Sequence, residues 1–529
     1  MELPRLKTQD SDSAAAGTDS VLLCVYAPFC TDKVLSTYPD GQSQDLAQHP
    51  LVRNLLKVAK CGIHVAALVD RVDEDTYLVE IPAGQPARMR VTSCWKQDMS
   101  SPLNLAGFLR RAHANHPTSV LVLALEGHGA GFLPEIDGTQ MTGKNITENG
   151  RIEWRVSGKE SPALPAVSPM LPAVSPMLPA VSPMLPANHM PISTWGLGDA
   201  LRRAQEARVP KLAVLHFNNC FNMSVEVLHT VAPYAEYATG YINYNFFTSG
   251  DSYPDVFQKL AAAGAAHALD VANWFADGNE KVLADKGNHP TVGSVVPLWR
   301  MKEIAERIDD LADALLSAMR GASAAQRPLV VQQIREAIER ARQLDTPNGG
   351  GFELETPDEL TDIRSLAIEL KAPDFSPHPV RDAALALEKA LDGLMRYGAN
   401  DRPWIDEAVV WNFATNDMAM NILLPDPLRR GLWDWRSPFY MNVNPDPNAP
   451  RVQPHVIDFL KVTDWVDFID EYHKGKDEKG AEAIFKGLLA AKIPEFPVFN
   501  RKFKPTYPSE PGKPPQGNTP EQAKGIRRK

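Results

Sequence analysis

Two side chains suited to nucleophilic chemistry follow apolar runs of this 529-residue chain. Cys220 comes just after the run at 211–217, and His128 comes just after the run at 120–125. A cysteine thiolate is a strong nucleophile, and a nearby histidine can take the thiol proton or lower the thiol pKa. Gly129 lets the backbone approach a substrate carbonyl, so its N–H and that of Cys220 could form an oxyanion hole. The pair predicts covalent catalysis at an acyl carbon.

The elements around these residues predict a mainly parallel α/β sheet, because apolar strand runs alternate with helical periodicity. In such a sheet ligands bind outside the carboxyl ends of the strands, where His128 and Cys220 both lie. Cys220 would also open the helix predicted at 221–231, whose N-terminus would stabilise a thiolate. The predicted strands are 21–27, 62–70, 120–125, 211–217 and 237–241.

A purely structural reading of the same residues stays open. A single cysteine is more often a small buried hydrophobe than a nucleophile, and one histidine in a glycine-rich turn says little. The combination of both at successive strand ends favours the catalytic reading. Structural roles are expected for the other four cysteines, Cys24, Cys30, Cys61 and Cys94.

Composition excludes several classes of function. A net charge of −10 argues against nucleic-acid binding. No stretch reaches about 18 apolar residues, so no membrane partner is expected. Five cysteines, an odd number without metal-ligand spacing, predict reduced thiols, a cytoplasmic location and no metal cofactor.

Several segments, taken in order, resemble the clostripain-like (C11) cysteine peptidases of the caspase-like clan CD. SVLVLALEGHGAGF at 119–132 resembles the family's strand and HGxG segment, and FNNCFNMSVEV at 217–227 resembles its nucleophile segment. MNILLP at 420–425 and FLKVTDWVDFIDEY at 459–472 resemble later family elements. The resemblance implies a caspase-like three-layer α/β sandwich with a mainly parallel central sheet and a C-terminal α+β extension. It also implies a His128/Cys220 dyad with Gly129 at the oxyanion hole.

The resemblance further implies a substrate pocket, with one departure. Asn218 stands where the family has an aspartate that helps to recognise a basic P1 residue. Asp251 could supply the missing charge, since a buried arginine needs a carboxylate partner. A preference for Arg or Lys at P1 is therefore predicted. Calcium stimulation occurs in the family, but no calcium loop is recognisable in this sequence.

Proline marks the segments expected to lie outside the core. The chain has 45 prolines, and nine of them fall at 161–191, where LPAVSPM recurs three times. Two prolines per repeat exclude a helix and predict a flexible or polyproline-II linker. The predicted organisation is a disordered N-terminus (1–19), a catalytic core (20–280, with the linker as an insertion), a helical region (281–400), a C-terminal α+β region (401–500) and a basic disordered tail (501–529).

The linker lies between His128 and Cys220, which suggests a zymogen cut in that interval. Residues 161–191 contain no Lys or Arg, so self-cleavage would fall at flanking sites and a cut inside the repeat would need another protease. The flanking sites are Arg151, Arg155, Lys159, Arg202 and Arg203. A neutral tandem expansion is the alternative, because long surface insertions cost little free energy.

The sequence therefore predicts a cysteine endopeptidase acting on protein substrates in a triggered intracellular pathway such as cell death or defence, with an upstream activating protease as a partner. One alternative is a non-catalytic caspase-like scaffold that binds partners. Another is a hydrolase or transferase that uses the same dyad on a small acyl substrate.

Overall fold

The computed structural model places a nine-stranded sheet at the centre of the chain. It describes residues 16–17, 21–29, 46–71, 75–94, 97–127, 129, 131–135, 192–243, 245, 249–285, 292–344, 360–372, 378–398, 417–424, 440 and 455–473. The linker at 161–191 and the tail at 501–529 lie outside these residues, as does most of the segment at 1–19. Within that last segment, Ala16–Gly17 pairs antiparallel with Ala265–Ala266.

The strands of this sheet are β1 (Val21–Pro28), β2 (His64–Asp70), β3 (Thr76–Ile81), β4 (Arg90–Ser93), β5 (Val120–Glu126), β6 (Leu212–Asn218), β7 (Ala235–Tyr241), β8 (Val292–Pro297) and β10 (Met395–Gly398). Their order across the sheet is β10-β8-β7-β6-β5-β1-β2-β3-β4. A separate antiparallel pair joins β9 (Leu360–Asp362) to β11 (Asn421–Leu423). The five central strands, β7, β6, β5, β1 and β2, run parallel. The mainly parallel sheet predicted from the sequence is confirmed.

The central strands are buried on both faces. Every residue of β6 is buried, and β1 and β5 each have a single residue that is not. Strands covered on both faces are continuous apolar runs rather than alternating ones, and these runs identified them in the sequence.

Helices cover both faces of this sheet. They are α1 (Pro50–Lys60), α2 (Pro102–Asn115), α3 (Thr194–Glu206), α4 (Val225–Val231), α5 (Tyr253–Ala263), α6 (Ala268–Asp285), α7 (Met301–Gly321), α8 (Arg327–Arg340), α9 (Ile363–Leu370), α10 (His378–Leu391), α11 (Asp458–Val462) and α12 (Trp465–His473). The step from β1 to β2 runs across the sheet in the opposite direction to the steps from β5 to β6 and β7. Right-handed crossovers therefore put α1 on one face and α3 and α4 on the other. Helices α5 and α6 pack with α1, while α2 and α7 pack with α3 and α4, which makes three layers.

Several elements differ from the sequence-based prediction. The helix expected at 221–231 begins only at Val225, with the Ser224 hydroxyl accepting from the Val227 N–H as its N-cap. The sequence pattern at 255–275 predicts a single helix, whereas the structure divides it into α5 and α6 around Gly264, whose φ of 73° ends α5. The region 281–400, expected to be helical, also supplies β8 and β10 to the main sheet.

The C-terminal part of the chain packs directly on the core. The apolar runs at 408–413 and 418–424 predict a strand pair; 408–413 lies outside the described residues, and β11 pairs with β9. Helices α11 and α12 contact α4 and α7, respectively. The Trp465 indole N–H donates to the Leu423 carbonyl over 3.3 Å, which ties α12 to β11.

Candidate active site

A cleft opens at the carboxyl ends of β1, β5 and β6. Its lining includes Pro28 at the end of β1, Glu126 at the end of β5, and Gly129 and Asn219 in the loops that follow β5 and β6. The chain leaves β1 and β5 in opposite directions across the sheet, so this is the topological switch point where ligands bind in open α/β sheets. The sequence predicts the site at this edge of the sheet.

Gly129 and Cys220 meet at this cleft. A Cβ built on Gly129 would lie 2.1 Å from the carbonyl oxygen of Cys220 and 3.0 Å from the Asn219 side chain. Only glycine allows the two loops to approach so closely. The backbone of Gly129 therefore lies against that of Cys220. The predicted partner of the thiol, His128, lies outside the described residues, between Gly127 and Gly129.

The loop after β6 holds Cys220 in a turn rather than at the start of a helix. Cys220 precedes α4 by five residues, so the expectation that a helix N-terminus stabilises its thiolate is wrong. Phe221, the next residue, has a φ of 60°, a left-handed conformation that is costly for an aromatic side chain. The sequence did not predict this turn because 221–231 has few residues that break a helix.

A hydrogen-bonded network surrounds the thiol. The backbone N–H of Asn245 donates to the Cys220 Sγ over 3.3 Å, and its Nδ2 donates to the Asn218 Oδ1 over 3.0 Å. Asn218 Nδ2 in turn donates to both carboxyl oxygens of Glu126, over 3.0 and 3.1 Å. The network therefore connects the ends of β5 and β6 with the loop after β7.

Glu126 is the buried acid of this network. Besides Asn218, the Ser249 backbone N–H donates to Glu126 over 2.9 Å and the Tyr253 hydroxyl donates over 2.5 Å. Burial raises the pKa of Glu126 to about 7, although these donors act in the opposite direction. The side chain thus titrates near neutral pH. Burial, followed by the charge of Glu126, also raises the pKa of Tyr253 well above its usual range.

Asp251, the second predicted pocket residue, lies beside this network, two residues after Ser249. Its carboxyl oxygen accepts from Asn54 Nδ2 over 3.2 Å, and the same amide donates to the Ser249 carbonyl over 3.0 Å. Asp251 is half-buried, and its charge contributes to the raised pKa of Glu126. The structure therefore brings Asn218 into the network around Cys220, while the described contact of Asp251 is with Asn54.

Three polar residues near the cleft were not predicted. Asn222 Nδ2 donates to the Asn219 side chain over 2.9 Å, and Asn222 Oδ1 accepts from the Gly131 N–H over 3.2 Å. These bonds tie the turn after β5 to the loop after β6, and Asn245 holds the sulfur. All three asparagines follow strand ends, and that position was the signal that could have identified them.

Burial disfavours the thiolate form of the other described cysteines. Burial raises the pKa of the Cys24, Cys61 and Cys94 thiols. Among the cysteines that the structure describes, these three and Cys220, no disulfide occurs. Cys30 lies outside those residues. Of the four described cysteines, Cys220 lies beside the cleft, next to the lining residue Asn219 and in backbone contact with Gly129.

Among the described residues, no group of three or more His, Cys, Asp or Glu side chains is arranged to hold a metal ion. No helix in the described part of the chain is long and apolar enough to cross a bilayer.

A family match covers the cysteine loop. Residues 187–345 match the model of the clostripain family, Peptidase C11. This segment is similar to the clostripain family. The match includes Cys220 and confirms both the resemblance that the sequence suggested and the enzyme class that it implied, a cysteine-type peptidase. No curated protein matches the sequence.

Solved structures of C11 proteases are also similar to this chain. A secreted C11 cysteine protease from Bacteroides thetaiotaomicron, "iotapain", is 12% identical with a TM-score of 0.45, covering 76% of this chain and 93% of its own. A secreted C11 protease from the same organism, in complex with an irreversible peptide inhibitor, is 12% identical with a TM-score of 0.46, covering 85% and 99%. An inactive zymogen C11 protease from Parabacteroides distasonis is 14% identical with a TM-score of 0.45, covering 78% and 93%.

Proposed function

We propose that this protein is a cysteine endopeptidase whose nucleophile is Cys220. The observation that supports it is the contact between Gly129 and the Cys220 backbone at the cleft of a chain similar to the clostripain family. The thiolate attacks the scissile carbonyl carbon, and the N–H groups of Gly129 and Cys220 stabilise the resulting oxyanion. His128 donates a proton to the leaving amine and then takes one from the water that hydrolyses the thioester.

A basic residue at P1 is the proposed preference. Glu126 is the acidic side chain in the described lining of the cleft, and that lining contains no Lys or Arg. Asp251 adds a second negative charge nearby. Asn218 is 2% exposed and has both ends of its amide engaged, so it acts on the pocket through Glu126.

Activation by a cut between His128 and Cys220 is the proposed regulation, with an upstream protease as the partner for cuts inside the repeat. Arg202 and Arg203, two of the flanking self-cleavage sites, lie inside α3 and pair with Asp199 at 2.6 Å. A protease binds an extended chain, so this helical pair is a poor substrate. The remaining flanking candidates are Arg151, Arg155 and Lys159, which lie outside the described residues.

The cytoplasmic location and the role in a triggered pathway are kept as parts of this proposal. The free thiols of the described cysteines are compatible with a reducing compartment. Two of the similar structures are of secreted proteins, so fractionation of the native protein is the direct test of this point.

A panel of fluorogenic peptides with varied P1 residues tests the enzymatic proposal. Wild type and Cys220→Ala are compared before and after limited proteolysis of the linker. Cys220-dependent turnover that is highest with Arg or Lys at P1 is the expected result. If no peptide is turned over in a Cys220-dependent way, even after proteolysis, the protein is not a peptidase of this kind. The non-catalytic scaffold would then be the better reading.

A further inference from the structure

Asn421 connects the C-terminal strand β11 to the loop that carries Cys220. Its side chain is fully buried. The Nδ2 atom donates to the carbonyl oxygens of Phe221 and Ile242, each over 2.7 Å. The backbone N–H of Asn421 donates to the Met223 carbonyl over 3.0 Å. Asn421 thus bonds two carbonyls that lie within three residues of Cys220 in the sequence, those of Phe221 and Met223.

The same side chain also reaches the turn after β5. A Cβ on Gly131 would lie 3.3 Å from the Asn421 Oδ1, and Gly131 itself has a φ of 68°. Among the described residues, no donor bonds this buried oxygen. Asn421 therefore lies where the loops after β5, β6 and β7 meet. These are the loops that carry Gly129, Cys220 and Asn245.

Phe221 is the residue through which Asn421 acts on the thiol. Its left-handed conformation is held at both polar ends, because its N–H donates to the Asn243 carbonyl over 2.8 Å and its carbonyl accepts from Asn421. Without these bonds an aromatic residue returns to negative φ, and the adjoining peptide of Cys220 rotates. That peptide carries the oxygen packed against Gly129.

We propose that Asn421 is a positioning residue for the nucleophile, so that the C-terminal strand completes the active site rather than merely covering the core. This inference rests on the proposed role of Cys220. It assigns Asn421 no contact with substrate. Its effect is on the orientation of the Cys220 peptide and, through that peptide, on the place of the sulfur beside Asn245.

Other bonds between the C-terminal part and the core offer a matched control. The Tyr440 hydroxyl donates over 2.9 Å to the buried Glu226, in the first turn of α4 and five residues beyond Phe221. Tyr440→Phe removes one buried hydrogen bond and none of those that Asn421 or Phe221 makes. Asn421→Leu keeps the branched shape of the side chain and removes both donors, and Asn421→Ser is the milder variant for use if Asn421→Leu does not fold.

The experiment measures the rate at which iodoacetamide alkylates Cys220, by mass spectrometry of its peptide, across pH 5 to 9. Melting temperature and peptide turnover are measured on the same samples. Asn421→Leu is expected to lower the alkylation rate at pH 7 at least fivefold and kcat at least tenfold, with KM within twofold. Tyr440→Phe is expected to lower the melting temperature while the alkylation profile of Cys220 stays within twofold of wild type.

An alkylation profile for Asn421→Leu or Asn421→Ser that coincides with wild type overturns the inference, as does failure of both variants to fold. In that case Asn421 serves stability alone. Absence of peptide turnover in the wild type would count against the proposed peptidase instead. The alkylation rates would still decide whether Asn421 positions the thiol.

Discussion

The backbone of Gly129 lies against the carbonyl of Cys220, so closely that a methyl group on Gly129 would meet that oxygen at 2.1 Å. Gly129 follows β5 and Cys220 follows β6, and these strands are parallel neighbours. The contact is made by two backbones, so no side-chain rotation can relieve a clash there. The loops that carry the two halves of the candidate site are therefore in register only because residue 129 is glycine.

Gly129→Ala is expected to lower kcat/KM at least a hundredfold, because the added methyl separates the Cys220 carbonyl from its neighbour and displaces the thiol. Turnover of the best peptide and the melting temperature are the measurements. Gly321→Ala is the matched control, since a Cβ at the end of α7 meets nothing within 4 Å. Wild-type turnover in Gly129→Ala would mean that the two loops separate without consequence for the chemistry.

Glu126→Gln is expected to flatten the pH dependence of stability. Because the folded-state pKa of Glu126 is raised from its ordinary value of 4.5 to about 7, the protonated side chain is favoured by folding. The stabilisation of the fold by protonated Glu126 is complete below pH 4.5. It is lost as the pH rises through 7, and the total change in the free energy of unfolding is on the order of 3 kcal/mol. Wild-type urea midpoints should fall between pH 5 and 8, and the variant should fall less.

Asp362 provides the comparison for that measurement. It caps α9, and burial raises its pKa to about 7 as well. Asp362→Asn should therefore remove the part of the decrease in stability with pH that Asp362 causes, in the same pH range. If Glu126→Gln and wild type show the same slope while Asp362→Asn does not, then Glu126 stays charged throughout the range.

Asn218→Asp is expected to destabilise the protein, and Glu126→Gln to restore much of the loss in the double variant. The new carboxylate on β6 would face that of Glu126 at about 3 Å, where two like charges cannot both ionise readily. The double variant returns a single acid to the site, now on β6. Unfolding free energies of the four proteins should give a favourable coupling of about 1–3 kcal/mol. Additive losses would show that the two residues do not interact.

Deletion of 164–184, the three LPAVSPM repeats, is expected to leave the fold intact. The ends of the interval 136–191 are already held together. The Leu133 N–H donates to the Thr194 hydroxyl over 2.9 Å, the Thr194 N–H donates to the Leu133 carbonyl over 3.0 Å, and the Ser193 hydroxyl bonds Glu135. Loop closure therefore depends only weakly on the length between them.

Melting temperatures within about 3 °C of wild type are the expected result of that deletion, and gels of wild type and Cys220→Ala report self-cleavage. A fall well beyond this range would mean that the repeats contribute to the folded core. If both full-length proteins stay whole while the wild type is active, activation by cutting is wrong.

Much of the fold could be predicted from the sequence because buried parallel strands are continuous apolar runs. The five central strands were found in this way, and so was the edge of the sheet that carries Cys220 and Gly129. Helix boundaries near the site were predicted poorly. The residues at 221–224 fit a helical pattern, yet bonds from Asn243 and Asn421 hold Phe221 at a positive φ that no local propensity favours.

Local patterns in the chain were enough to predict the resemblance to the clostripain family, the central strands and the cysteine beside the cleft, because each of these depends on residue types that are close together in the sequence. The surroundings of that cysteine came from tertiary contacts. The Asn245 N–H bonds the Cys220 sulfur, and two further hydrogen bonds, through Asn218, connect Asn245 to Glu126. Asn421 bonds the Cys220 loop although it lies 201 positions away in the sequence. Such contacts arise when loops from separate strands converge, and no local pattern in a sequence records which of them will meet.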